Sequence, residues 1–66
     1  MEDHYAALKV NRHASESEVK KAFRKLARDS HPDKGGDPEI FNSLREAHET
    51  LSDSEKRREY DQLWSL

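Results

Sequence analysis

The pattern that most constrains this chain is a pair of apolar stripes of helical period, set on either side of a break that carries proline and glycine. Val19, Ala22, Phe23 and Leu26 recur at i, i+3, i+4 and i+7, the spacing of one buried helix face. Ile40, Phe41, Leu44, Ala47 and Leu51 mark a second such face. Ser15 opens the first stripe with Glu18 three residues on, a capping box in which each side chain answers a free backbone N–H. Pro32 closes it, because its ring disfavours the α conformation at His31. Asp37-Pro38 restarts the chain as an N-cap followed by a proline whose missing N–H costs nothing at the first helical position. The pattern predicts helices over 16–30 and 38–51, each roughly 21–22 Å long at about 1.5 Å per residue. Two helices of equal length joined by a short loop pack antiparallel as a hairpin.

Shorter helices are predicted at either end. Asp3 can cap a turn or so over His4 to Leu8, with Tyr5 and Leu8 three apart on one side. The polar stretch Asn11 to Ala14 then reads as a loop. Ser52 with Glu55 offers a second capping box, opening a last helix that runs to about Leu63. That helix is mostly charged, with Tyr60, Leu63 and Trp64 its sizeable apolar groups, and is expected to be the least stable element. Strand patterns, internal repeats and low-complexity segments do not occur. The reading is an all-α, four-helix single domain.

A chain of 66 residues has room for one small core, and chains of this size bury only about 60% of the surface they expose unfolded. Cysteine is absent, so disulfide staples and cysteine-based metal sites are excluded. No stretch approaches the roughly 20 apolar residues of a membrane span. The start, Met1-Glu2-Asp3-His4, is acidic and has no signal-peptide core. A cytoplasmic or nuclear setting is the default expectation.

Net charge is −2, which argues against a general nucleic-acid binder. The average conceals an asymmetry. Between Val19 and Arg28 lie five basic residues (Lys20, Lys21, Arg24, Lys25, Arg28) and no acidic one, which leaves −7 on the rest of the chain. A basic patch on an acidic protein points to a specific acidic partner rather than to any polyanion. On a helical wheel Lys20, Arg24 and Arg28 fall at about 100°, 140° and 180° from Val19, while the apolar residues centre near 340°. Such a stripe is most often a solvated face. Here it runs into the corner His31-Pro32-Asp33-Lys34-Gly35-Gly36. His31 would project near 120° if the helix turn persisted that far, about 20° from Arg24. Proline stiffens the first half of that corner and two glycines are expected to loosen the second. A histidine that can donate or accept and a carboxylate suited to pairing with arginine flank the proline. A stripe that ends in a rigid corner is better explained as a docking edge.

Taken together these residues resemble the J-domain family, the ATPase-stimulating modules of DnaJ-type cochaperones. The resemblance runs from Tyr5-Ala6-Ala7-Leu8-Lys9-Val10 through Val19 to Ala27, the His31-Pro32-Asp33-Lys34 signature, Phe41, Glu46-Ala47, Leu51-Ser52-Asp53, and Lys56-Arg57 to Tyr60-Asp61. It implies the four-helix fold with its long helix hairpin, a DnaK-type heat-shock ATPase chaperone as partner, and no catalytic chemistry or cofactor in the domain itself. It further implies that His31, Pro32 and Asp33 engage that partner near its interdomain linker. Lys20, Arg24 and Lys25 would meet an acidic face of its nucleotide-binding domain. Lys21 and Arg28 belong to the same basic segment, and Lys34 and Arg45 are weaker candidates. The domain is expected to be a monomer that fills residues 1–66 and forms the N-terminal module of a larger protein. Phe41, Leu44, Leu26 and Ala22 are assigned to the core between the long helices.

Three positions depart from the family's usual pattern. Phe23 stands in place of tyrosine and lacks its hydroxyl, and its ring packs either at the core edge or against the partner. His48 replaces the tyrosine of an alanine-tyrosine pair and reads as a half-buried packing residue. Lys9 replaces a glycine after Leu8 and is expected to alter the first turn. Rival readings fit less well. A DNA-binding helix-turn-helix wants a turn of about 3–4 residues and a basic second helix, whereas the connection here runs from His31 to Asp37 and the basic residues lie on the first. Ser30, His31 and Asp33 as sequence neighbours say nothing of a catalytic triad. The four histidines show no close ligand pairing of the kind zinc favours.

Overall fold

The Asp3 carboxylate accepts a hydrogen bond from the Ala6 N–H and so opens α1, His4–Leu8, as its capping chemistry predicts. The computed structural model describes residues 3–64, and α1 is followed by α2 (Glu16–Asp29), α3 (Pro38–Leu51) and α4 (Ser54–Trp64). No strand occurs among the described residues. Ser15 caps α2 by accepting from the Glu18 N–H, and Asp37 caps α3 by accepting from the Glu39 N–H.

The two long helices run antiparallel. Phe23 near the middle of α2 meets His48 near the end of α3, while His31 beyond the end of α2 meets Phe41 near the start of α3. Helix α1 packs most extensively on α3 and less on α2, so the short first helix is a structural partner of the hairpin rather than a decoration of it. The core is Tyr5, Leu8, Ala14, Val19, Leu44, Ala47, Leu51 and Tyr60, with Ala22, Phe23 and Leu26 half-buried against it.

Several expectations are corrected. Ile40 lies outside the buried face of α3 at 53% exposure, although the next residue, Phe41, is half-buried against His31. Ala14 lies in a loop, as its sequence suggests, and is buried at 4%. It closes the turn that returns the chain to α2, its N–H donating to the Asn11 carbonyl. Phe41, Leu26 and Ala22 are half-buried rather than interior. Helix α4 begins at Ser54, and its cap is Asp53, whose carboxylate accepts from the Glu55 and Lys56 N–H groups. The hydroxyl of Ser52 is turned back to donate to the His48 carbonyl at the end of α3 instead.

Helix α4 carries little apolar surface, and polar contacts hold it in place. The Tyr5 hydroxyl donates to Asp61 at 2.6 Å and accepts from the Arg57 Nε–H at 3.1 Å. The His4 N–H donates to the Tyr60 hydroxyl, and the His4 ring stacks on that of Tyr60. Arg57 also donates to the Arg12 carbonyl, and the Arg12 guanidinium lies over the rings of Tyr5 and Trp64. Cations over aromatic faces contribute about 0.5–1 kcal/mol at exposed sites. Lys9 terminates α1 in the left-handed conformation, at φ 56° and ψ 40°. That conformation costs a residue with a side chain roughly 1–2 kcal/mol, which explains why glycine suits this position.

Candidate functional site

The corner after α2 is ordered by hydrogen bonds of its own. Ser30 caps α2 with its N–H on the Leu26 carbonyl, so the helix ends before His31 and His31 does not continue the wheel. Pro32–Lys34 form a single 3₁₀ turn. The Lys34 and Gly36 N–H groups donate to the His31 carbonyl, and the Gly35 N–H donates to that of Pro32.

His31 is fixed on three sides. Its Nδ1 accepts from the Asp33 N–H at 3.2 Å, its ring meets the edge of Phe41 at a centroid distance of 5.1 Å, and its backbone carries the turn. An accepting Nδ1 leaves the neutral ring's proton on Nε2, where it is a donor. The Asp33 carboxylate lies 3.7 Å from Nδ1 with its side chain 91% exposed. A donor and a carboxylate are thus held beside each other on a rigid corner, a pair suited to hydrogen-bonding and pairing with an arginine of another molecule.

The glycines tighten this corner rather than loosen it. Gly35 ends the 3₁₀ turn in the left-handed region at φ 85°. Gly36 passes so close to the backbone of Ser30 that no side chain fits there. The Gly-Gly pair after Pro-Asp-Lys carried a readable signal, since a glycine in the left-handed conformation is a common way to stop a helical turn.

The basic residues separate into groups. Lys21, Arg24, Lys25 and Arg28 line one shallow depression on the solvent side of α2. None of these four has an acidic partner among the described residues. Lys20 is set apart by an ion pair with Glu16 at 3.7 Å, one helix turn back. Arg45 lies on α3 and pairs with Glu49 at 3.9 Å. Lys34 shares the 3₁₀ turn with Pro32 and Asp33 and is exposed. Phe23 stacks on His48 with ring centroids 4.3 Å apart and planes 17° from parallel. His48 is therefore the half-buried packing residue that the sequence suggests, and Phe23 packs at the core edge. No group of three or more His, Cys, Asp or Glu side chains gathers as a metal site among the described residues.

Residues 3–61 match the DnaJ domain family. A DnaJ protein homolog of Cucumis sativus is 56% identical over 59 residues, which cover 89% of this chain and 14% of that protein. Chaperone protein dnaJ 3 of Arabidopsis thaliana is 55% identical over 58 residues, 88% of this chain and 14% of the relative. The similarity extends to bacteria: Chaperone protein DnaJ of Ureaplasma parvum is 50% identical over 63 residues, 92% of this chain and 17% of the relative. The chain thus spans only a small part of the length of these relatives. Four helices, an ordered His31-Pro32-Asp33 corner and a match across residues 3–61 agree, and the chain belongs to the DnaJ domain family.

Proposed function

We propose that this domain is a cochaperone module that docks on a DnaK-type ATPase chaperone and stimulates its ATP hydrolysis, coupling hydrolysis to client capture. The observation that carries the reading is the junction of two features: a rigid corner presenting His31 and Asp33, and a helix that leads into it with four cations on its outer side that have no acidic partner among the described residues. Lys21, Arg24, Lys25 and Arg28 attract and orient an acidic surface of the chaperone, with Lys20, Lys34 and Arg45 at the margins. Long-range charge steers the encounter, and the corner makes the specific contact. Pro32 holds the His31 donor and the Asp33 carboxylate at fixed spacing, so little ordering entropy is lost on binding. The domain contributes no reacting group, and the chaperone's own site hydrolyses the nucleotide. We also propose that this domain is the N-terminal module of a larger protein whose other regions choose the client; the greater length of the relatives supports a larger parent.

Single-turnover ATP hydrolysis by a DnaK-type chaperone, with wild-type domain and with His31→Gln, tests the reading. The expected result is stimulation by the wild type and its loss in the variant, with the variant's melting temperature close to that of the wild type. Undiminished stimulation by a folded His31→Gln would overturn it.

A further inference from the structure

Two of the three positions that depart from the family's usual residues, Phe23 and His48, lie against each other. One face of the His48 ring is covered by Phe23, while neither ring nitrogen makes a hydrogen bond among the described residues. Neither is enclosed, since the buried side-chain nitrogen without a partner belongs to His4. Both nitrogens of His48 therefore reach solvent. An apolar ring would pack equally well on Phe23, so packing does not account for the nitrogens. The stack bridges α2 and α3, and on α2 Phe23 sits directly before Arg24 and three residues after Lys20, at the margin of the basic face.

We propose that His48 is a further partner-binding residue, its imidazole held flat by Phe23 so that a ring nitrogen hydrogen-bonds the same acidic chaperone surface that the α2 cations meet. This rests on the proposed docking function and extends that surface across the seam to α3. The occupant follows from continuity and charge. On the helical wheel Phe23 lies about 60° from Lys20 and about 100° from Arg24, at the edge of the basic stripe, and a surface complementary to that stripe offers carboxylates and carbonyls, which a ring N–H can bind. The stack removes the rotamer freedom His48 would otherwise lose on docking, so the contact is pre-organised.

His48→Phe keeps an aromatic ring on Phe23 and deletes only the nitrogens. Titration of this variant against an ATP-loaded DnaK-type chaperone is expected to show Kd raised roughly 3- to 10-fold, the loss of one hydrogen bond, with the melting temperature held. A Kd equal to that of the wild type overturns the proposal. A second measurement needs no substitution: the imidazole NMR signals of His48 in the wild-type domain should shift or broaden on adding the chaperone. Signals that stay in place while the domain binds overturn the proposal as well. Failure of the underlying reading looks different, for then the wild-type domain itself does not bind. If wild type binds, and Arg24→Glu with Arg28→Glu does not, the docking reading stands whatever His48 does.

Discussion

Gly36 and Ser30 meet backbone to backbone: a Cβ on Gly36 would lie 2.0 Å from the Ser30 carbonyl oxygen. The end of α2 and the end of the signature corner are thus closed on each other by the absence of a side chain. Gly36→Ala is expected to destabilise the domain by about 1–3 kcal/mol, the usual cost of forcing extra volume into a packed site. Because the displaced atoms belong to the corner, ATPase stimulation should fall further than the lost stability explains. Gly35→Ala, with open space around its Cβ but a left-handed φ, should cost only about 1–2 kcal/mol. Thermal melts alongside single-turnover hydrolysis separate the two variants. Equal stimulation by Gly36→Ala and wild type would show that the corner tolerates opening.

Lys9→Gly should stabilise the fold. Lys9 closes α1 at φ 56°, and glycine relieves that strain at the expense of a more flexible unfolded chain, for a net gain of about 0.5–1 kcal/mol. Urea unfolding of the two proteins, read as a shift in midpoint at constant slope, checks the sign.

Charge reversals on α2 should not be equivalent. Lys20 already faces Glu16, while Arg24 and Arg28 have no acidic partner among the described residues. Arg24→Glu with Arg28→Glu is expected to abolish docking, and Lys20→Glu alone to weaken it only slightly. Substitutions at such exposed positions usually shift stability within about 0.5 kcal/mol, so circular dichroism should report an intact fold in both. Wild-type docking should also weaken as salt rises, since exposed charges are screened over about 8 Å at physiological ionic strength. Affinity that is flat with salt would rule out electrostatic docking.

Tyr5 makes stability depend on alkaline pH. Burial raises the pKa of its hydroxyl above the ordinary value of 10.0, and the hydrogen bond to Asp61 adds to the rise against an opposing pull from Arg57. A raised folded pKa means the folded state holds the proton more tightly. This contribution is full below pH 10.0 and is lost as pH climbs through the higher folded value. Tyr5→Phe should cost about 1–3 kcal/mol at neutral pH, because Asp61 and Arg57 lose a half-buried partner. It should also lose less stability than the wild type between pH 9 and roughly pH 11. Denaturant titrations at the two pH values measure both effects.

How much could be read in advance divides along the range of the forces involved. The helices over His4–Leu8, Glu16–Asp29 and Pro38–Leu51, and the caps at Asp3, Ser15 and Asp37, were legible because each depends on residues within a turn of one another. The same locality misled at Ser52, where the serine-to-glutamate spacing was right but Asp53 offered the nearer carboxylate. It also placed the signature corner and the basic helix next to each other, since those are consecutive in the chain.

What the sequence determined by itself, then, was the set of helices and most of their ends, consequences of periodicity, proline and capping chemistry; the docking residues came from the family resemblance and are proposed. Only the tertiary structure decided which of those residues are free and which are occupied. Ile40 is exposed and Ala14 buried, neither of which follows from the local pattern around it. Phe23 meets His48, and Tyr5 meets Asp61 across 56 positions, because antiparallel packing folds distant segments together. Gly36 is required by a carbonyl that the turn itself brings back to it. Helix propensity acts along the chain within a few residues, whereas close packing acts between whatever segments the completed fold places in contact.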